Sequence, residues 1–286
     1  MRMQLSSPTA EVFVPDGRPV EEALRRTTHL AVSAHQDDVE IMAFHGILEC
    51  FGHPELGFSA AVVTDGRGSP RDGLYARYTD EEMREVRRRE QKKAAVVGEY
   101  AVLALLDHPS AIVKDPAERG PVEDLKQLFL ATRPKIVYTH NPADKHDTHV
   151  AVALRTIQAL RELRPEMRPE KVLGCEVWRE LDWLVDQDKV ALPVGGRENL
   201  AHALLGVFDS QICGGKRYDL ATMGRRRAHA TYHATHGVDE AEGLTFAMDL
   251  TPLVSEPHPS IVRYVASYLE RFAAEVGDRL TRLGAE

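Results

Sequence analysis

The chain has 286 residues, 43% of them hydrophobic and 28% charged, enough to bury the core of one large α/β domain. Its formal net charge of -8 argues against nucleic acid as the main partner, because phosphate binding needs clustered Lys and Arg. Cys50, Cys175 and Cys213 are widely spaced with no Cys-x-x-Cys pair, no stretch approaches the roughly 18 apolar residues that span a bilayer, and residues 1–16 lack a signal-peptide core; a cytoplasmic protein with free thiols is expected.

Residues 1–27, with Pro8, Pro15 and Pro19, read as an N-terminal extension draped on the core. Residues 29–34 are short, apolar and β-branched, which predicts a buried strand. Residues 37–51 place Val39, Ile41, Met42, Phe44, Ile47 and Leu48 at helical spacing, with Asp37 and Asp38 in the first turn, where the helix dipole favours carboxylates. Residues 58–64 form a second predicted strand, ended by the loop Asp65-Gly66-Arg67-Gly68-Ser69-Pro70. A charged helix over 79–98 has its acids early and its bases late, and Gly98 stops it. Strands follow at 101–106 and 135–139, with a helix over 122–131 between them. The clearest amphipathic helix spans 148–163, and a fifth strand is expected at 172–177. Beyond about residue 165 the pattern is less regular, with helices at 200–208, 219–232 and 260–283 and a strand at 244–250. Strands alternating with helices predict a Rossmann-like three-layer α/β fold with a mostly parallel sheet, in a single domain over 28–286.

Ligands of an open parallel sheet bind beyond the carboxyl ends of its strands. Two predicted strands end in metal-type residues: one delivers His35, Asp37 and Asp38, the other Asp144, His146, Asp147 and His149. His35 and Asp38 are three residues apart, so a chain turning into a helix can aim both at one point. His149 could complete a site of two imidazoles and one carboxylate, leaving a fourth position open as catalytic zinc requires. Asp37, beside a ligand but pointing elsewhere, could accept a proton from water. His146, one turn before His149, would face the same pocket and as an imidazolium could stabilise a developing oxyanion. Either group alone could be a capped helix start; both together, each after a strand, favour a metal site.

Ala34-His35-Gln36-Asp37-Asp38 after a strand, with His146-Asp147-Thr148-His149 about 110 residues on, resembles the LmbE-like/PIG-L family of zinc-dependent de-N-acetylases. Val63-Thr64-Asp65-Gly66, Arg87 to Glu90 with Ala94, Ala95 and Gly98, Arg133-Pro134 and Ser210-Gln211 add to the resemblance, which covers roughly 28–160. It implies His35, Asp38 and His149 as zinc ligands, Asp37 as general base, His146 as oxyanion stabiliser and Arg87 as a substrate contact. The implied reaction is hydrolytic removal of an N-acetyl group from an N-acetylglucosamine-type sugar or conjugate by metal-activated water. Gln36, Val39, Thr148 and Phe208 depart from the family pattern, so Asp144 or Asp147 would take over the orienting role of the acid that Thr148 replaces.

The ligand set suits Zn²⁺, and Fe²⁺ or Co²⁺ also fit it. An amidase for a larger acyl group and a non-catalytic sugar- or metabolite-binding protein are the alternatives; a mere binder would have no use for Asp37. The partner is expected to be a small amino-sugar substrate, and self-association is compatible with the sequence. The loop at 66–70 lacks a third glycine and a Gly-Lys-Ser/Thr ending, which argues against a nucleotide site. Trp178 and Trp183 read as packing, with a sugar platform as the sharper alternative. The Arg225–Arg227 run with His229, His233 and His236 reads as a solvated helix face, part of which could line the pocket or a subunit contact.

Overall fold

Near-continuous Val, Ala and Leu runs make strands that can be buried on both faces, as a parallel sheet covered by helices requires. The computed structural model describes residues 3–285. Its strands are β1 (Glu11–Phe13), β2 (His29–Ser33), β3 (Phe58–Thr64), β4 (Val102–His108), β5 (Ile136–His140), β6 (Lys171–Cys175), β7 (Val190–Pro193) and β8 (Leu244–Asp249). They form one sheet in the order β1-β4-β3-β2-β5-β6-β8-β7. Strands β4, β3, β2, β5 and β6 run parallel. β1 pairs antiparallel with β4, and β8 pairs antiparallel with both β6 and β7.

The helices are α1 (Val20–Arg25), α2 (Asp38–Met42), α3 (Phe44–Cys50), α4 (Asp80–Val97), α5 (Ser110–Lys114), α6 (Gly120–Thr132), α7 (Asp147–Arg161), α8 (Glu198–Gly206), α9 (Asp209–Ile212), α10 (Tyr218–Tyr232), α11 (Thr251–Val254) and α12 (Ile261–Arg282). Leu30 and Val32 of β2 point to one side, into a core with Leu24, Leu125, Phe129, Val152 and Leu160 of α1, α6 and α7. Ala31 points to the other, among Val39, Phe44, Ile47, Ala94 and Leu204 of α2, α3, α4 and α8. Each fully buried Val, Leu, Ile or Phe contributes about 1.5–3 kcal/mol. The result is the expected three-layer α/β fold.

Some elements differ from the sequence reading. The N-terminal segment supplies an edge strand, β1, whereas residues 190–193 add β7 on the opposite edge. The helix expected over 37–51 is broken at Ala43 into α2 and α3. A residue of distant α10 accounts for the break: the Arg226 guanidinium donates to the Glu40 and Ile41 carbonyls at 2.8 and 3.3 Å, which a continuous helix would use internally. By contrast, α4 follows its signals. Thr79 Oγ1 accepts the Glu82 N–H, Glu82 returns the bond to the Thr79 N–H at 2.8 Å, and Gly98 caps the end. Among the described residues no helix is long and apolar enough to cross a membrane.

The sheet order has one consequence for function. Connections run outward from β2 through β3 to β4 and from β5 to β6, so the direction of winding reverses between β2 and β5. The carboxyl ends of those two neighbours open the crevice in which such sheets bind ligands.

Candidate active site

β2 ends at Ser33, and the chain then turns out of the sheet into α2. Asp37 sits at the N-terminal boundary of that helix with φ 86°. A non-glycine residue there stores about 1–3 kcal/mol of strain and needs outside support. Gln91 Oε1 gives it, accepting the Asp37 N–H at 3.1 Å. The loop after β3 closes over Gln36: Gly66 has φ +71°, and a Cβ there would collide with Gln36 Oε1.

β5 ends in His140, and the loop after it carries Asp144, His146 and His149 to the same edge. His140 is fully buried and stacks on His149 with ring centroids 4.0 Å apart. Its Nε2 accepts the Ala34 N–H at 2.8 Å, joining the ends of the two strands. Burial and the charge of His149 hold its pKa well below the ordinary value, so it is neutral. Sequence reasoning missed His140; its only signal was its place as the last residue of a strand at this edge.

His35, Asp38 and His149 converge. His35 Nδ1 lies 3.1 Å from His149 Nε2 and 3.3 Å from Asp38 Oδ2, and His149 Nε2 lies 3.4 Å from Asp38 Oδ2. Ligands about 2.0–2.1 Å from a tetrahedral zinc stand roughly 3.3 Å from one another, so the three atoms are spaced as such a cation needs. His149 Nδ1 faces Asp144 Oδ2 at 3.4 Å, which directs the Nε2 lone pair toward His35 and Asp38. Asp144 also accepts the backbone N–H groups of His146 and Trp178, at 3.1 and 3.2 Å. Asp147, the other candidate for that orienting role, is exposed. Burial opposes ionisation of Asp38, but the neighbouring His149 and His35 outweigh it and hold this carboxyl far below the usual range.

Two further histidines approach this triad, and hydrogen bonding separates them from it. His140 has already given its Nε2 lone pair to Ala34. His146 Nδ1 accepts the Thr148 N–H at 3.3 Å as the N-cap of α7, which leaves the proton on Nε2. Burial and the nearby His149 and His35 lower its pKa. His146 therefore presents its Nε2–H toward the pocket.

Asp37 Oδ2 receives Arg87 Nη2 at 2.7 Å. Arg87 is 1% exposed: Nη2 also donates to the Gln36 carbonyl and Nη1 to Glu90 at 3.0 Å and Ser210 at 3.4 Å, while Nε has no partner among the described residues. The sequence reading made Arg87 a substrate contact. In the structure Arg87 borders the cavity beside Asp37 and orients that carboxylate. Burial raises the Asp37 pKa, the neighbouring Asp38 adds to the rise and Arg87 restrains it. Such a carboxylate takes up a proton more readily than a solvated one. Arg84 and Arg88, on the same helix, turn instead to Asp107.

His35, Asp37, Asp38, Arg87 and His146 line a cavity of about 540 Å³. Its wall also holds Trp178, for which the sequence left packing or a sugar platform open, and Lys216 and Tyr218, which it left unassigned. Trp178 stacks on His146 with centroids 6.4 Å apart, Tyr218 meets Trp178 edge-on, and Lys216 Nζ lies 5.1 Å above the indole. The Arg/His-rich segment divides: Arg225 lines the cavity, Arg226 and His229 are buried, and His236 is exposed. No local pattern marked Lys216 or Tyr218, because their place depends on how the second half of the chain returns to the sheet edge.

Residues 30–160, the segment that builds β2 through α7, match the family model of PIG-L, GlcNAc-PI de-N-acetylase. The matched stretch is a little under half of the chain. A search of curated proteins finds no sequence match. Among solved structures, the N,N'-diacetylchitobiose deacetylase of Pyrococcus horikoshii is similar at TM-score 0.59 and 16% identity, over 76% of this chain and 82% of that one. The conserved protein TT1542 of Thermus thermophilus is similar at 0.56 and 20%, over 76% and 93%. The 4-carboxy-2-hydroxymuconate hydratase GalB of Pseudomonas putida is similar at 0.56 and 15%, over 82% and 100%. At these identities the likeness shows the fold alone, which this chain shares with all three. The last of them performs a different reaction on it.

Proposed function

We propose that this protein is a divalent-metal-dependent hydrolase that removes an N-acetyl group from an N-acetylglucosamine-type sugar or conjugate. The observation that carries the reading is the convergence of His35 Nδ1, Asp38 Oδ2 and His149 Nε2 within 3.1–3.4 Å, with Asp37 alongside. Bound by these three residues, a cation such as Zn²⁺ would supply Lewis acidity, making a water more acidic and polarising a carbonyl. The donor set also fits Fe²⁺ or Co²⁺.

The remaining steps belong to the chain's own residues. Asp37 accepts a proton from the water that attacks the acetamide carbon. The His146 Nε2–H donates to the carbonyl oxygen as negative charge gathers on it, the moment at which such a donor is most effective. Asp37 then returns its proton to the nitrogen as the C–N bond breaks, giving acetate and the free amine. Arg87 keeps Asp37 aimed throughout, and Asp144 keeps His149 in the tautomer that presents Nε2. The free cysteines, two of them buried, support a reducing compartment such as the cytoplasm.

Acetate release from a panel of N-acetylglucosamine conjugates, with chelator and with Zn²⁺ restored, tests this reading. Metal-dependent release is expected. Release of longer acyl groups in preference to acetyl would favour the wider amidase, and no amide cleavage in the metal-loaded protein would remove the hydrolase reading.

A further inference from the structure

Glu40 of α2 is fully buried, in a helix whose Val39 and Ile41 belong to the apolar core. Among the described residues no Lys, Arg or His stands within ion-pairing distance of it, and its Oε2 has no hydrogen-bond partner. An acid without a cation in such a place is costly, and a well-packed apolar side chain would serve the fold as well or better. Departures of this kind from the rules of packing belong at functional sites.

The other carboxyl oxygen shows what the acid does. Glu40 Oε1 accepts Gln91 Nε2 at 2.8 Å and the Tyr100 hydroxyl at 2.6 Å. Gln91 is fully buried on α4, and its Oε1 accepts the Asp37 N–H at 3.1 Å. A primary amide can turn either end toward a neighbour, and only its oxygen can receive an N–H. With Glu40 taking the NH₂, the oxygen is left facing Asp37. Tyr100, buried just before β4, fixes Glu40 in turn. This series of bonds ends on the backbone of a residue with φ 86°. A strained conformation of that kind persists only where its surroundings determine it. If the Gln91 amide turned over, its NH₂ would meet the Asp37 N–H, and the peptide from which the carboxylate projects would lose its acceptor.

We propose that Glu40 is a positioning residue for Asp37: it fixes the orientation of the Gln91 amide, and through it the backbone from which the Asp37 carboxylate is aimed. Glu40 lies outside the cavity wall and acts only through Gln91. Its part is separate from that of Arg87, which holds the Asp37 carboxylate itself. The consequence for turnover rests on the reading of Asp37 as the group that moves the proton; the consequence for the Asp37 backbone does not.

Two readouts on the zinc-loaded full chain test this. One is exchange of the Asp37 amide hydrogen, resolved to the residue by fragmentation mass spectrometry; the other is steady-state acetate release from N-acetylglucosamine conjugates. Gln91→Leu and Glu40→Leu should each speed Asp37 exchange about three- to tenfold, the worth of one hydrogen bond. Each should lower kcat by up to about 10²-fold, the effect of a misplaced catalytic group, with KM and bound metal as in the wild type. Glu40→Gln keeps an oxygen for Gln91 and Tyr100 and should behave as the wild type in both readouts. Because Glu40 acts through Gln91, the double variant Glu40→Leu/Gln91→Leu should be no slower than Gln91→Leu alone, whereas two independent lesions would multiply. Leu125→Ala opens a cavity in the core on the other side of the sheet and should leave Asp37 exchange and kcat unchanged, which separates positioning from loss of stability. Should Glu40→Leu fail to fold, Glu40→Leu/Tyr100→Phe takes its place, because it leaves no Tyr100 hydroxyl without a partner. Wild-type exchange at Asp37 in Glu40→Leu, or losses that multiply in the double variant, would overturn the proposal. Faster Asp37 exchange in a chain that releases no acetate from any conjugate would leave the positioning of Asp37 standing and remove the de-N-acetylase reading.

Discussion

Asp37 is held in a backbone conformation that few side chains adopt, and distant residues hold it there. Gln91 takes its N–H, Arg87 takes its carboxylate, and Glu90 with Ser210 fixes Arg87 from behind. The arrangement predicts two separate losses in Arg87→Gln. Breaking a buried ion pair should lower stability by about 3–5 kcal/mol, read from the urea midpoint. A carboxylate free to swing by about an ångström should lower kcat by about 10²-fold. A variant that lost substrate affinity with kcat intact would return Arg87 to the substrate-contacting role expected from the sequence. His146→Gln should lower kcat by about 10²–10³-fold with metal content unchanged, as for a lost oxyanion donor. Loss of metal in that variant would make His146 a ligand. His35, Asp37, Asp38, His146 and His149 were legible because each follows an apolar strand at short range. Arg87's true partners were not, since its contact with Asp37 spans 50 residues of chain.

At the scale of elements, the second half of the chain is tied to the sheet edge by buried polar groups that no periodicity reveals. Glu176, just past β6, accepts the N–H groups of Leu181 and Phe246 at 2.5 and 2.9 Å and so joins the β6–β7 connection to β8. Burial pushes its pKa up to about 7 from 4.5, against the pull of those two N–H bonds. The folded state therefore holds a proton that the unfolded chain has released. This contribution is complete below about pH 4.5 and is lost as pH rises through about 7. Glu176→Gln should flatten the fall of the urea midpoint between those pH values. It should also cost roughly 1–3 kcal/mol, because an amide NH₂ would meet a backbone donor. An unchanged slope would show that Glu176 is ionised in the folded protein. Arg226 acts over a similar span. A helix expected to run unbroken over 37–51 is interrupted because a guanidinium from 185 residues away takes the Ile41 carbonyl.

For the whole molecule, the alternation of strands and helices made the layered fold legible, because buried parallel strands and their crossovers leave strong local patterns. The edge strands β1 and β7 escaped, being three and four residues long. Their pairing is set by the sheet they join. The architecture alone does not decide the reaction, since a hydratase shares it. What decides is whether His35, Asp38 and His149 hold a catalytic cation while Asp37 moves the proton. Metal stoichiometry, measured on the purified wild type and on Asp37→Asn and His149→Ala after zinc loading and desalting, addresses this most directly. The account predicts a single divalent ion per chain in the wild type and in Asp37→Asn, with turnover lost in the latter by about 10²–10⁴-fold, and no retained ion in His149→Ala. A wild type that binds no divalent metal, or equal metal loss in both variants, would contradict it.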